Sequence, residues 1–586
     1  MRKQAMQTKV VNSHKLTILA QDPTVRHNGR IVTARVDVPA ETLAEGPCGS
    51  RIKVVDFDAT SDRLYAPHKY ARGRDAALVD PFAPPKPDRV GPRGWRAYEK
   101  ELLGNPNFHA QNAYAIAMRT LARFEFALGR RVSWGFPGHQ LHIAPHAFCE
   151  ANAYYSERDH ALLFGYFRGR SGAMVFTSLS HDVVAHETTH ALLDGLRDGF
   201  TEPSGYDQDA FHEGFADVVA LLSVFSLEAF VRATLAKDRS RRRGERWPVL
   251  VPWQDVSRAA LAGSILFGLG EQVGQQMEGI NRNALRTSVL LPPRRDYLGR
   301  AEYAAAHTRG EVLVAAFLNA FLDVWDARIE QNGRAGARRR NLNVVVEEGA
   351  KAASHLLTIA IRALDYCPPV DITFAEYLSA LLTADRETAP DDLRYDYRGK
   401  VLASFRRYGI DAAKHGTDPR TGMWRRSRAP LNYGKVHFES MLRDKEEVFR
   451  FIWENRDKLG VDERGYIEVN SVRPSTRVSP DGFVLKETIC EYVQTVRLFG
   501  SELPAVLRVK RPPGMATTQS VTAVAGGTLV FDQYGRVKYH IAHHLSDKAR
   551  QARRIAYLWR QGYIDRPRDD SERFASLHRA RALSGL

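Results

Sequence analysis

The sequence predicts an α+β protein with a β-rich N-terminal lobe, a mostly helical second lobe and a separate C-terminal α+β module. Three observations predict it. Strand-like alternation dominates from about residue 15 to 70, helical periodicity dominates from Ser178, and beyond HGTDPRTG, near residue 414, both patterns mix. The length agrees, because 586 residues exceed one core and ~100 to 200 residues per domain give about three units. The boundaries then fall at 1–177, 178–413 and 414–586.

In the first block, RIVTARVDVPA and RIKVVDFDAT alternate apolar and polar residues between Gly and Pro punctuation, as strands do, and FAPPKPDRVGPRG reads as a loop. His109 to Arg130 carries apolar residues at helical spacing and ends in Gly-Arg, predicting a long amphipathic helix. Strand-like material follows to about Phe176. The second block opens at Ser180, an N-cap residue type, with Asp182 suitably placed in the first turn. Helical spacing recurs in AFHEGFADVVALLSVF, GEVLVAAFLNAFLDVW and VVVEEGAKAASHLLTIAIRAL, ending near YRGKVLASFRRYGI. The third block predicts one helix over ESMLRDKEEVFRFIWENRDKLG, several strands including the hairpin GTLVFDQYGRVKYHI, and a basic helical tail.

With 44% hydrophobic and 26% charged residues, the chain is neither disordered nor fibrous, and no internal repeat is present. Cys48, Cys149, Cys367 and Cys490 form no CxxC, so a thiolate metal site and a dense disulfide framework are not expected and the thiols read as reduced. The basic N-terminus never develops a signal-like apolar run, and no later run approaches the ~18 apolar residues of a membrane span. A cytoplasmic location is the expectation, unless another route exports the chain.

Lys plus Arg outnumber Asp plus Glu by 84 to 68, giving a net charge of +16. An excess of this kind favours anionic partners, yet the basic residues are scattered. The densest cluster, KDRSRRRGER from Lys237 to Arg246, lacks interleaved aromatics, so nucleic-acid binding is not expected. His540, His543 and His544 in HIAHH have no carboxylate at ligand spacing and read as a surface feature, not a metal site. Composition leaves the oligomeric state open.

The chemistry concentrates in SHDVVAHETTHALLDGL, Ser180 to Leu196. Histidine and glutamate are costly to bury unless something binds them. His186 and His190 lie one helical turn apart, so both imidazoles can reach one ion, while Glu187 starts one residue round and can meet a water on that ion. HExxH arises by accident in a chain of this composition about once in ten at most, so the third ligand decides. Leu193 and Leu196 stand where a metzincin needs Gly and His, which excludes that class. A second helical segment supplies HEGFAD, with Glu213 placed 23 residues beyond His190 and Asp217 one turn further on. Across an intervening turn Glu213 can ligate, and Asp217 can accept the outer N–H of a ligand histidine.

DVVAHETTHALLDG followed by HEGFAD resembles the thermolysin family of gluzincin zinc metallopeptidases. The resemblance spans about residue 105 to 410 and implies a thermolysin-like two-lobed catalytic unit. EANAYY is similar to that family's substrate-binding edge strand, which implies peptide contacts at Asn152 and Ala153. ALRTSVLLP implies a substrate-carbonyl arginine at Arg286. AAHTRGEVLVAAF implies a transition-state histidine at His307, with Glu302 as its orienting carboxylate. The ligand-to-ligand segment is three residues longer than in the family, leaving Tyr206 as the candidate oxyanion tyrosine. Three departures are visible. His212 replaces the usual Asn before the glutamate ligand, Val224 replaces an acid needed beside Asp182, so no calcium site is predicted, and Leu227 to Asn283 reads as an insertion.

The expectation is therefore hydrolysis of a peptide or protein substrate with one Zn2+ ion, held by His186, His190 and Glu213, and with Glu187 as general base. Peptide would lie extended along the Asn152 strand, between the lobes. The rival expectations are an inactive zinc-binding scaffold or regulatory protein, against which the intact Glu187 argues, and an aminopeptidase, for which the acidic grip on a free amine is not identifiable.

Overall fold

Strand β1 (Ser13–Leu19) pairs antiparallel with β4 (Thr33–Pro39), setting Leu16 opposite Val36 and Ile18 opposite Ala34 on one buried face. In this computed structural model the described residues are 13–27, 29–73, 78–86, 89–169, 172–235, 250–263, 288, 290–333, 338–478, 482 and 484–564. Helix accounts for 43% and strand for 22%, a mixed α/β protein as the sequence predicts. Two short hairpins, β2 (Arg26–His27) with β3 (Arg30–Ile31) and β6 (Phe57–Asp58) with β7 (Arg63–Leu64), complete the irregular N-terminal stretch.

After α1 (Pro92–Gly104), Asn105 caps α2 (Pro106–Leu128) by accepting from the Asn107 amide, and Pro106 pre-sets the first helical turn. Gly129 ends α2 in the left-handed conformation (φ 65°), close to the predicted Gly-Arg stop. Small residues along α2 let it lie buried between β1 and the main N-terminal sheet. That sheet runs β11 (Met174–Phe176), β10 (Ala161–Arg168), β8 (Leu141–Phe148), β5 (Ile52–Val54). A further short strand, β9 (Ala153–Ser156), pairs antiparallel with β10, Tyr155 opposite Leu162.

The helical lobe contains α3 (His181–Leu196), α4 (Tyr206–Phe225), α5 (Glu228–Leu235), α6 (Arg258–Ala262), α7 (Ala306–Asn332), α8 (Leu342–Arg362), α9 (Phe374–Thr388) and α10 (Tyr397–Arg407). β12 (Leu250–Pro252) and β13 (Arg339–Asn341) form a small ribbon beside them. Helices α4 and α7 cross at two glycines. A Cβ on Gly214 would stand 2.9 Å from the Gly310 carbonyl oxygen, an approach that larger residues forbid.

The expected single helix after residue 438 is instead three: α11 (Phe438–Met441), α12 (Lys445–Glu454) and α13 (Arg456–Leu459). Asp444 accepts from the Glu446 amide and starts a new helix, while the Asn455 side chain turns to bond Asn432. The C-terminal sheet is a four-stranded antiparallel meander, β14 (Tyr466–Val478), β15 (Val484–Phe499), β16 (Ser520–Phe531) and β17 (Val537–His543). Short α14 (Leu503–Val506) and the basic α15 (Lys548–Arg560) accompany it.

This third block has two apolar clusters of its own, but Val530, Tyr539 and Ile541 belong to the large core that runs through the helical lobe. Buried ion pairs fasten the two together. Arg477 meets Asp365 and Glu487, Arg197 lies 3.0 Å from Glu491, and Glu376 receives both Arg550 at 2.6 Å and His543 at 2.8 Å. The surface reading of HIAHH is corrected here. His543 is buried against Glu376, His540 Nε2 lies 2.9 Å from the Tyr492 hydroxyl, and His544 Nδ1 donates to the Gly460 carbonyl at 3.0 Å.

The four cysteines are free thiols. The basic cluster from Lys237 to Arg246 lies outside the described residues. Among those described, no single helix is long and apolar enough to cross a membrane. Helices α4 and α5 pass only as a pair bent by 75°, and α4 is a core helix.

Candidate metal centre

Helix α3 starts at Ser180, as its residue type predicts, although the backbone alone makes the cap and no side-chain capping bond forms. One turn apart on its inward face, His186 and His190 aim their Nε2 atoms at the same point, 2.9 Å from one another, with the rings nearly perpendicular at 83°. Helix α4 brings Glu213 to that point. Its carboxylate oxygens lie 3.6 Å from His186 Nε2 and 3.8 Å from His190 Nε2. All three side chains are buried, and their donor atoms lie within 4.8 Å of one another. Ligand atoms ~2.0 to 2.1 Å from a tetrahedral zinc stand roughly 3.4 Å apart, so this spacing fits such an ion.

The outer imidazole nitrogens are also held. Asp217, one turn beyond Glu213 on α4, sits 2.8 Å from His186 Nδ1, and His212 Nδ1 sits 2.9 Å from His190 Nδ1 with the rings stacked at 19°. A proton on each ligand Nδ1, donated outward, leaves both Nε2 lone pairs facing inward. Burial by itself would depress the His186 pKa, but the adjoining carboxylates of Asp217 and Glu213 outweigh it and raise it well above the ordinary histidine value. The cluster thus favours a positive charge at its centre.

Glu187 is 3% exposed and is fixed by the N-terminal lobe, its Oε2 accepting from the Tyr155 amide at 3.1 Å. That amide belongs to β9, so the strand's edge away from β10 faces α3. The Tyr155 hydroxyl donates to Asp194 at 2.8 Å, a second tether between strand and helix. Asn152 and Ala153 lead into the same strand. The Asn152 side chain accepts from the Ala153 amide at 2.9 Å, and its carbonyl accepts from Gly165 at 2.8 Å. His307, in the first turn of α7, puts Nδ1 3.3 Å from Glu213 Oε2 and remains half-buried, its side chain 20% exposed.

Of the sequence-derived positions, His186, Glu187, His190, Glu213, Asp217 and His307 therefore converge, with Asn152 and Ala153 on the adjacent strand. Two do not. Tyr206 stands two turns before Glu213 on α4 and packs edge-on against Tyr557 of α15, ring centroids 4.8 Å apart. Helix α4 begins at Tyr206 and turns its ring to the C-terminal block. Glu302 does not orient His307. It lies in an exposed turn and pairs with Arg300 at 2.7 Å. Arg286 lies outside the described residues.

Sequence reading alone did not assign the contact of His212 with His190 or that of the Tyr155 amide with Glu187. The first had a signal, a histidine beside the glutamate ligand; the second is a backbone contact and leaves none. In comparisons with known proteins, no family model and no curated protein matches the chain.

Proposed function

We propose that this protein is a zinc-dependent metallopeptidase, an endopeptidase of the thermolysin-like gluzincin type, acting on an extended peptide or protein segment. The observation that carries the reading is the buried meeting of His186, His190 and Glu213 with Glu187 alongside and Asp217 behind. A structural cluster would need no carboxylate poised beside the ligand set and held by a substrate-facing strand.

His186 Nε2, His190 Nε2 and the Glu213 carboxylate would hold the ion. When bound, zinc supplies a Lewis acid that polarises the scissile carbonyl and lowers the pKa of water toward ~7. Glu187 takes the proton from the attacking water and passes it to the leaving amine, its position fixed by the Tyr155 amide. His307, whose Nδ1 lies 3.3 Å from Glu213 Oε2, would offer an N–H to the developing oxyanion, a role worth ~2.7 to 4 kcal/mol per donor at comparable sites. Peptide would lie extended along the strand that Asn152 and Ala153 lead into, in the manner of strand addition.

The test compares wild type with Glu187→Gln on denatured protein substrates, with metal content measured in both. The expected outcome is one equivalent of zinc in each and hydrolysis in the wild type only. Wild-type protein that binds zinc yet cleaves nothing would leave the site a scaffold.

A further inference from the structure

We propose that an open cavity of about 530 Å3 between α2, β4 and the start of α5 binds a small organic carboxylate with an apolar body. None of the residues lining it belongs to the His186 cluster, and the inference does not rest on the peptidase reading.

Two arginines make the site. Arg119 and Arg123 stand one turn apart on α2, so their side chains share one side of the helix, and both line the cavity. Each is half-buried and held by neutral groups alone. Arg119 Nη1 donates to the Ser223 carbonyl at 3.4 Å and Nη2 to the Ser226 hydroxyl at 2.7 Å, while Arg123 Nη1 donates to the Ser354 hydroxyl at 3.0 Å. Ser226 itself lines the cavity, which puts the Arg119 guanidinium at its wall. Among the described residues neither arginine forms an ion pair, and Arg123 Nε and Nη2 make no hydrogen bond. Those two nitrogens are the edge of a guanidinium that meets a carboxylate with parallel bonds.

No counter-charge reaches them from the interior. On the inner side the same two arginines close a void of about 10 Å3 whose other lining residues, His181 among them, include no carboxylate. His181 adds no charge there, because burial, and after it the Arg119 charge, lowers its pKa to about 3. Burial, and after it the charge of Arg123, presses the Arg119 pKa down to about 9, and burial lowers that of Arg123. Partly buried cations pressed this way are short of an anion.

The remaining lining decides which anion fits. Asp37 is taken by Ser13 at 2.9 Å and Lys15 at 3.1 Å, and Arg35 leans to Asp80 at 3.9 Å, so these two leave the balance unchanged. Glu228 is exposed and lines the cavity with no ion pair among the described residues. Two guanidiniums against one carboxylate leave a single positive charge, which a monoanion neutralises and a dianion overshoots. The other walls are apolar: Val36, Ala122, Leu227 and the ring of Phe126, which is 59% exposed. Small-molecule sites combine such walls with a few placed polar groups, and their volumes include this one. An apolar body attached to the carboxylate therefore has a surface to cover.

The experiment titrates the full chain with phenylacetate, acetate, phenylacetamide and phenyl phosphate by calorimetry at pH 7 and fixed ionic strength, with chelator present so that metal plays no part. Saturable phenylacetate binding is expected, tighter than that of acetate, of the neutral amide or of the dianion. Arg123→Met removes a half-buried cation that lacks a counter-charge, so it should keep or raise the unfolding midpoint while weakening phenylacetate by about tenfold or more. Arg123→Lys keeps the charge without the fork and should fall between the two. Glu228→Gln alters an exposed side chain, and it should tighten phenylacetate a few-fold at an unchanged midpoint. No saturable phenylacetate binding, equal binding of phenylacetamide, or parental affinity in Arg123→Met overturns the site. Tighter binding of phenyl phosphate, or a Glu228→Gln variant that binds no better than the parent, overturns the choice of a monoanion.

Discussion

His212 Nδ1 lies 2.9 Å from His190 Nδ1, on the far side of that imidazole from the ligand cluster. For His190 to turn its Nε2 lone pair inward, its Nδ1 must carry the proton and His212 must accept it. His212→Ala removes the acceptor and should weaken zinc binding by about 10- to 100-fold, the usual effect of losing an outer-shell partner. His212→Asn restores a carbonyl acceptor and should recover most of that affinity. Competition titration against a zinc chelator measures both; equal affinity in all three proteins would show that His190 is oriented by packing alone.

His307 offers a test of whether metal binding and hydrolysis can be separated. Its Nδ1 is 3.3 Å from a Glu213 oxygen, yet it stands outside the three-residue ligand set. His307→Phe should keep near-parental zinc content and lower kcat by about 10²- to 10³-fold with little change in KM, the pattern of a group acting in the transition state. A variant that loses its zinc would place His307 among the ligands instead.

The helices carrying this centre were legible because strong 3.6-residue periodicity coincides with HExxH and, 23 residues on, with HEGFAD. What failed to be legible was set by contacts remote in sequence. Tyr206 was aligned by its place between two ligand helices, but its side chain is claimed by Tyr557, about 350 residues later. Glu302 sits five residues before His307 across the break that starts α7, where helical spacing does not apply. Polar HIAHH read as surface because its burying partner, Glu376, belongs to another block. The helix expected over residues 439–460 broke because Asp444 and Asn455 bond backbone and loop groups in competition with helix continuation.

Gly310 tests whether the crossing of α4 and α7 sets the centre's geometry. A Cβ there would stand 3.1 Å from both the Ala210 carbonyl oxygen and the Gly214 amide nitrogen. Gly310→Ala should force the helices apart, costing about 1 to 3 kcal/mol as overpacked sites do. His307, three residues earlier, should retreat from Glu213, so activity should fall more than zinc content. A stable variant with full activity would show that the crossing yields without moving the site.

Glu376 makes the docking of the C-terminal block acid-sensitive. Burial by itself would raise its pKa, but the charges of His543 and Arg550 and the Thr373 cap outweigh burial and hold it down at about 2, against an ordinary value of 4.5. A folded-state pKa below the unfolded one stabilises the charged form. That contribution is complete above about pH 4.5 and is lost as pH falls through about 2. That depression corresponds to roughly 3 kcal/mol. In Glu376→Gln no proton is taken up at this position, so the urea midpoint should be lower at pH 7 and should fall less steeply between about pH 4.5 and 2. Intrinsic fluorescence follows both transitions. An acid limb equally steep in the two proteins would mean that another carboxylate governs the loss.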